Sequence, residues 1–257
     1  MYRKSYWHVF ILIFIIGIVV FIAGFSQALS IGREVTKETV DEEDVEVEKP
    51  QEYVGEYRII ALGDSLARGT GDISGEGFVG RMVESGDLNG GKPVNLYNLS
   101  VEGMRSIELV EQVKDPQTVE GFADADIIII SIGGNDLRDI LNESAVDQAE
   151  AFQSALGAYL YNVDFILKSI RSANEGGLVV FLGLFNPGDG DDKTRNMYLL
   201  EWNNRTWQLM EMYENTLYVP TYDLFKYNSN EYISVDGLHP NDEGYEAIAK
   251  RILGSIK

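Results

Sequence analysis

Only one histidine lies outside the first ten residues: His239, three positions after a carboxylate in Asp236-Gly237-Leu238-His239-Pro240. A serine hydroxyl attacks an acyl carbon at neutral pH only when a neighbouring base takes its proton, and imidazole is the side chain best suited to that task. A serine placed for this role stands far upstream, in Gly63-Asp64-Ser65-Leu66. The three-residue spacing lets Asp236 fold back onto Nδ1-H of His239, which leaves Nε2 to face Ser65. Each segment also has a purely structural use. Ser65 could be the N-cap of a helix, and the Asp236 to Asp242 stretch could cap the helix that follows.

Two further segments supply hydrogen-bond donors. Gly103, in Asn98-Leu99-Ser100-Val101-Glu102-Gly103, lacks a Cβ and so lets its backbone N–H approach a ligand. Asn135, in Gly133-Gly134-Asn135-Asp136, carries a side-chain NH2. With the N–H of Ser65 these make three donors, the kind of cluster that stabilises a tetrahedral oxyanion. A turn glycine and an Asx-turn asparagine explain the same two residues without chemistry. Asp136 is expected to brace its loop rather than react. With no cysteine and one histidine in reach, a transition-metal site is a poor reading, and a thiolate site is excluded.

The elements that must position these residues follow from the hydrophobic pattern. Tyr57 to Leu62, Val94 to Leu99, Asp126 to Ile132, Leu178 to Leu184 and Thr216 to Val219 read as five buried strands. Phe78 to Glu84, Ser106 to Val113, Asp147 to Ser172, Asn196 to Tyr213 and Asp242 to Ile256 read as helices between and after them. Such alternation implies an α/β fold, a parallel sheet covered on both faces in three layers. Sites in such sheets form beyond the C-terminal strand ends, where all four segments fall. The Phe185 to Asp192 loop could wall or cover the site. Tyr198, Trp202 and Trp207 read as a packed helix face.

The start of the chain has a different character. Arg3 and Lys4 precede an uncharged run from Val9 to Phe25, long enough to cross a hydrocarbon core. Residues 1–31 are therefore expected to be a retained membrane anchor with the remainder outside the cytoplasm. The alternative is a signal peptide cut near Ser26-Gln27-Ala28. Residues 32–56 are acidic and poor in large apolar groups, as in a flexible linker. Residues 57–257 form the remaining domain. The formal charge of -20 argues against nucleic acid as a partner. Polyanionic substrates are poorer candidates too, unless a local basic groove exists.

Gly63-Asp64-Ser65-Leu66, Gly103, Gly133-Gly134-Asn135-Asp136 and Asp236-Gly237-Leu238-His239-Pro240 together resemble the four ordered blocks of the SGNH, or GDSL-type, hydrolase family of esterases and lipases. The resemblance runs through nearly all of residues 57–257. It implies a three-layer α/β/α sandwich with a five-stranded flavodoxin-like sheet and no metal or organic cofactor. By that resemblance Ser65 is the nucleophile, His239 the general base and acid, and Asp236 its orienting partner. The Ser65 N–H, the Gly103 N–H and the Asn135 side chain form the oxyanion hole. An ester substrate is then expected: small, lipid-like or an O-acylated glycan. Two alternatives are an acyltransferase that uses the same acyl-enzyme and a non-catalytic envelope-binding module.

Overall fold

The computed structural model describes residues 57–88, 93–141, 148–188 and 192–256. The anchor and linker expected over residues 1–56 lie outside them, as does the acidic stretch 189–191. Among the described residues no helix is long and apolar enough to cross a membrane.

Five strands, β1 (Tyr57–Gly63), β2 (Val94–Asn98), β3 (Ile127–Ser131), β4 (Leu178–Leu182) and β5 (Thr216–Val219), form one sheet in the order β2-β1-β3-β4-β5. Every pairing is parallel. Parallel neighbours need crossovers, and helices lie on both faces to provide them. The period-two alternation of the strands divides their side chains between two cores. Ile60, Leu62, Ile128, Ile130, Val179 and Phe181 point to one face, packed with the long helix Gln148–Ala173. Ile59, Ala61, Ile127, Ile129, Val180 and Leu182 point to the other, packed with Gly77–Glu84 and the C-terminal helix Asp242–Ile256. On the long helix, Phe152, Leu156, Tyr159, Val163, Ile166, Leu167 and Ile170 are buried, one stripe at helical spacing.

Burial departs from the expectation of five buried strands at both sheet edges. All five residues of β3 are buried, whereas none of β2 is, and in β5 only Val219 is. An edge strand has a neighbour on one side alone, and β2 accordingly leaves Tyr97 facing solvent. The helix expected over 196–213 runs from Lys193 to Met210, because the Asp192 side chain accepts the Arg195 N–H and caps it three residues earlier. Trp202 is fully buried against Phe152 and Tyr159, and Tyr198 stacks on Phe152. Trp207 does not belong to that packed face. It is exposed, and its indole N–H donates to Glu211 on the same surface.

Candidate active site

β1 ends in Gly63, and a four-residue helix, Ser65–Arg68, begins two positions later. The side chain that caps this helix is Asp64, which accepts the Leu66 N–H at 3.0 Å. Ser65 is thereby released from the capping role that its position also allowed. Its hydroxyl instead lies 2.8 Å from Nε2 of His239, across 174 residues of sequence.

The histidine is held by a loop that folds on itself. The Ser234 N–H donates to the His239 carbonyl at 2.8 Å, and Ile233 bridges Pro240 in antiparallel fashion. Asp236 sits at the centre of the loop. Its Oδ1 accepts from the Leu238 N–H, the His239 N–H and the Ser234 hydroxyl, at 2.8, 2.9 and 2.8 Å. Its Oδ2 meets Nδ1 of His239 at 2.7 Å. Burial pushes the Asp236 carboxyl up, but the bonds from His239, Leu238 and Ser234 outweigh it and hold the group well below the usual carboxylate range. An ionised carboxylate only accepts, so Nδ1 carries the ring hydrogen and Nε2 is left to accept from Ser65. Gly71 lets the loop after the Ser65 helix come against this one. A Cβ there would lie 2.8 Å from the His239 Cβ and 2.6 Å from the Pro240 carbonyl oxygen. The helix-capping use of the segment coexists with this geometry: Asn241 Oδ1 accepts the Gly244 N–H at 2.9 Å.

The donors come from the ends of the neighbouring strands. Asn135 is buried in the first turn of the helix Gly134–Leu141, and its Nδ2 donates to the Met104 carbonyl at 2.9 Å. An amide nitrogen has two hydrogens, so one remains for a ligand. The same bond fixes the segment that carries Gly103 beside Asn135. Gly103 has φ +76, and a Cβ there would meet nothing within 4 Å. Glycine is thus required by the left-handed backbone rather than by a lack of space. Among the described residues, neither the Ser65 N–H nor the Gly103 N–H has an acceptor. Asp136 does brace: it accepts from the Ser106 N–H at 3.0 Å and from the Ser106 hydroxyl at 2.5 Å, tying its helix to the start of Ser106–Lys114.

A cavity of about 150 Å³ opens on Ser65, Asn135 and His239. Its apolar wall is made by Leu137, Leu141, Leu184 and Leu199, and Phe185 to Pro187 close one side. Asp64 lies at its floor, where burial raises its carboxyl to about 7 against the lowering effect of the Leu66 N–H and the Ser131 hydroxyl. Arg138 and Arg195 also reach the cavity wall. Neither arginine stands out from the motifs. Arg138 does lie one helical turn beyond Asn135, so reading that segment as a helix would have pointed to it.

The family model described as the GDSL-like lipase/acylhydrolase family matches residues 61–247, which takes in every segment that builds this geometry. The chain belongs to the GDSL-like lipase/acylhydrolase family. As a member it is an ester-hydrolysing enzyme, which sets aside the non-catalytic binding module as a reading of the fold. This GDSL hydrolase is 34% identical over 207 residues to an uncharacterized Bacillus subtilis protein, YpmR, covering 77% of this chain and 81% of that one. It is 29% identical over 198 residues to the spore germination lipase LipC of Bacillus licheniformis, covering 75% of this chain and 92% of LipC. Among solved structures, the lipase Lip_vut3 from a goat rumen metagenome superposes with a TM-score of 0.69 at 27% identity, over 77% of this chain and 97% of the lipase. Axe2, an acetylxylan esterase from Geobacillus stearothermophilus, shares the fold with a TM-score of 0.62 at 16% identity, over 79% of this chain and 94% of Axe2.

Proposed function

We propose that this GDSL hydrolase cleaves carboxylic esters through an acyl-enzyme on Ser65, with its catalytic domain tethered outside the cytoplasm. The observation that carries the reading is the hydrogen-bonded series Ser65, His239 and Asp236, with a 2.8 Å contact between side chains from opposite ends of the domain and a 2.7 Å contact within the histidine loop. In the first half, the Ser65 hydroxyl attacks the ester carbonyl while its proton passes to Nε2 of His239. Negative charge develops on the carbonyl oxygen among the N–H groups of Ser65 and Gly103 and the Asn135 amide. His239 then gives the proton to the departing alcohol, and the acyl group stays on Ser65. In the second half, water loses a proton to the same nitrogen and attacks the acyl carbon, the bond to the Ser65 oxygen breaks, and His239 returns the proton to that oxygen as the acid leaves. The apolar cavity of about 150 Å³ beside Ser65 suits a short acyl chain, since a cavity of that size is known to hold benzene.

If the Asn135 amide serves the oxyanion, Asn135→Ala lowers kcat by roughly 100- to 1000-fold. KM for the same ester changes by less than about threefold, because the donor acts on charge that exists only in the transition state. A loss confined to KM would remove Asn135 from this role. The location rests on Arg3 and Lys4 preceding the uncharged run Val9 to Phe25. The full chain is accordingly expected to stay with membranes after alkaline carbonate washing. Its release into the wash would reject the anchor.

A further inference from the structure

We propose that Arg138 and Arg195 form an anion-recognising subsite in the wall of the ester pocket, so that the preferred substrates are esters bearing a carboxylate or phosphate a few bonds from the scissile carbonyl. The proposal rests on the ester-hydrolase reading of the pocket and names its substrate class.

Residues 57–257 carry 31 acidic and 16 basic side chains, so a guanidinium here has acids in abundance to pair with. Arg81, Arg105 and Arg251 do so, each within 2.8 Å of a carboxylate oxygen. Arg138 and Arg195 do not: among the described residues neither guanidinium has a carboxylate or carbonyl partner. The described acids nearest to them in sequence are engaged elsewhere. Asp136 accepts from Ser106, Asp139 faces Arg105 at 3.6 Å, and Asp192 is turned to the backbone N–H of Arg195 as a helix cap.

Helix stability does not account for Arg195 either. It lies in the first turn of Lys193–Met210, at the positive end of the helix dipole, where a cation is disfavoured. Both arginines line the cavity that opens on Ser65 and His239, and each comes from a different helix. Two arginines lining one cavity suit an anion with several oxygens, which guanidinium groups bind through paired hydrogen bonds. Leu137, Leu141, Leu184 and Leu199 share the cavity wall with them, and apolar surroundings reduce the screening of that attraction relative to open water. An acidic domain repels polyanions at long range, so the subsite selects a short ester with one charged group rather than a long polymer.

The test compares kcat/KM of the full chain on two matched pairs of esters. The first is 1-butyrylglycerol 3-phosphate against 1-butyrylglycerol, with the anion on the alcohol side. The second is monoethyl glutarate against ethyl pentanoate, with the anion on the acyl side. In at least one pair the charged ester is expected to be favoured about tenfold or more, and the ratio to shrink as salt is raised. That ratio falls at least about tenfold in the Arg138→Gln/Arg195→Gln double variant. The pair that responds tells which side of the ester the arginines read. A ratio that is the same in wild type and double variant, or below one in both pairs, overturns the proposal. Calorimetric binding of 1-butyrylglycerol 3-phosphate to Ser65→Ala, with and without the arginines, reads the subsite without turnover. Absence of Ser65-dependent hydrolysis would therefore sink the acyl-enzyme reading, and binding indifferent to the arginines would sink this one.

Discussion

Ser65→Ala is expected to lower kcat for a short-chain ester such as p-nitrophenyl butyrate by about 10⁴-fold or more while leaving the fold intact. The size of the loss follows from the role: with the nucleophile gone there is no acyl-enzyme, and the remaining donors and cavity support only slow attack by water. The fold survives because the serine hydroxyl does no structural work. The helix Ser65–Arg68 is capped by Asp64, and among the described residues the one side-chain partner of the Ser65 hydroxyl is His239. Alanine at a first helical position is tolerated, so the unfolding free energy changes by no more than about 1 kcal/mol. Matching kcat values in wild type and variant, with the two equally stable to denaturant, would refute the assignment.

The second large effect comes from a change of one heavy atom's identity. Asp236→Asn is expected to cost about 10⁴-fold in kcat at neutral pH. Oδ1 of Asp236 accepts three hydrogen bonds, from Leu238, His239 and Ser234. An asparagine keeps its oxygen on those donors, which turns its NH2 towards Nδ1 of His239. Nδ1 must then accept, the ring hydrogen moves to Nε2, and Nε2 faces Ser65 with a proton instead of a lone pair. The variant is thus correctly folded with the wrong tautomer. A loss smaller than about tenfold would show that Asp236 only shapes the loop.

The interior of the sheet was legible in the sequence because its strands are unbroken apolar runs: Asp126 to Ile132 contains Ile127–Ser131, and Leu178 to Leu184 contains Leu178–Leu182. The C-terminal helix Asp242–Ile256 was equally plain from its periodic stripe of Tyr245, Ile248, Ile252 and Leu253. The edge strand β2 differs: Asn95 and Asn98 interrupt its apolar run, and its place at the edge of the sheet leaves Tyr97 exposed. Short helices were the least visible. Pro116–Phe122 begins with a capping Asp115 and a proline at its first position, yet seven residues are too few for a periodic pattern. The helix Gly134–Leu141 starts inside a glycine pair that reads as a loop, and this hid Arg138 from view. Ser65, Gly103, Asn135, Asp236 and His239 were all visible as motif residues. What the motifs could not convey was the division of labour at the first strand end, where Asp64 caps the helix and frees its neighbour. The arginines belong to no motif, and their interest arises from lining the cavity without, among the described residues, a partner in space.

The central claim, that Ser65 is made nucleophilic by His239, is tested most directly by mapping where a fluorophosphonate bonds to the full chain. The account predicts a single adduct on the peptide containing Ser65, formed rapidly by the wild type and almost absent from His239→Ala. An adduct on another residue, or labelling of Ser65 at the same rate without His239, would contradict it.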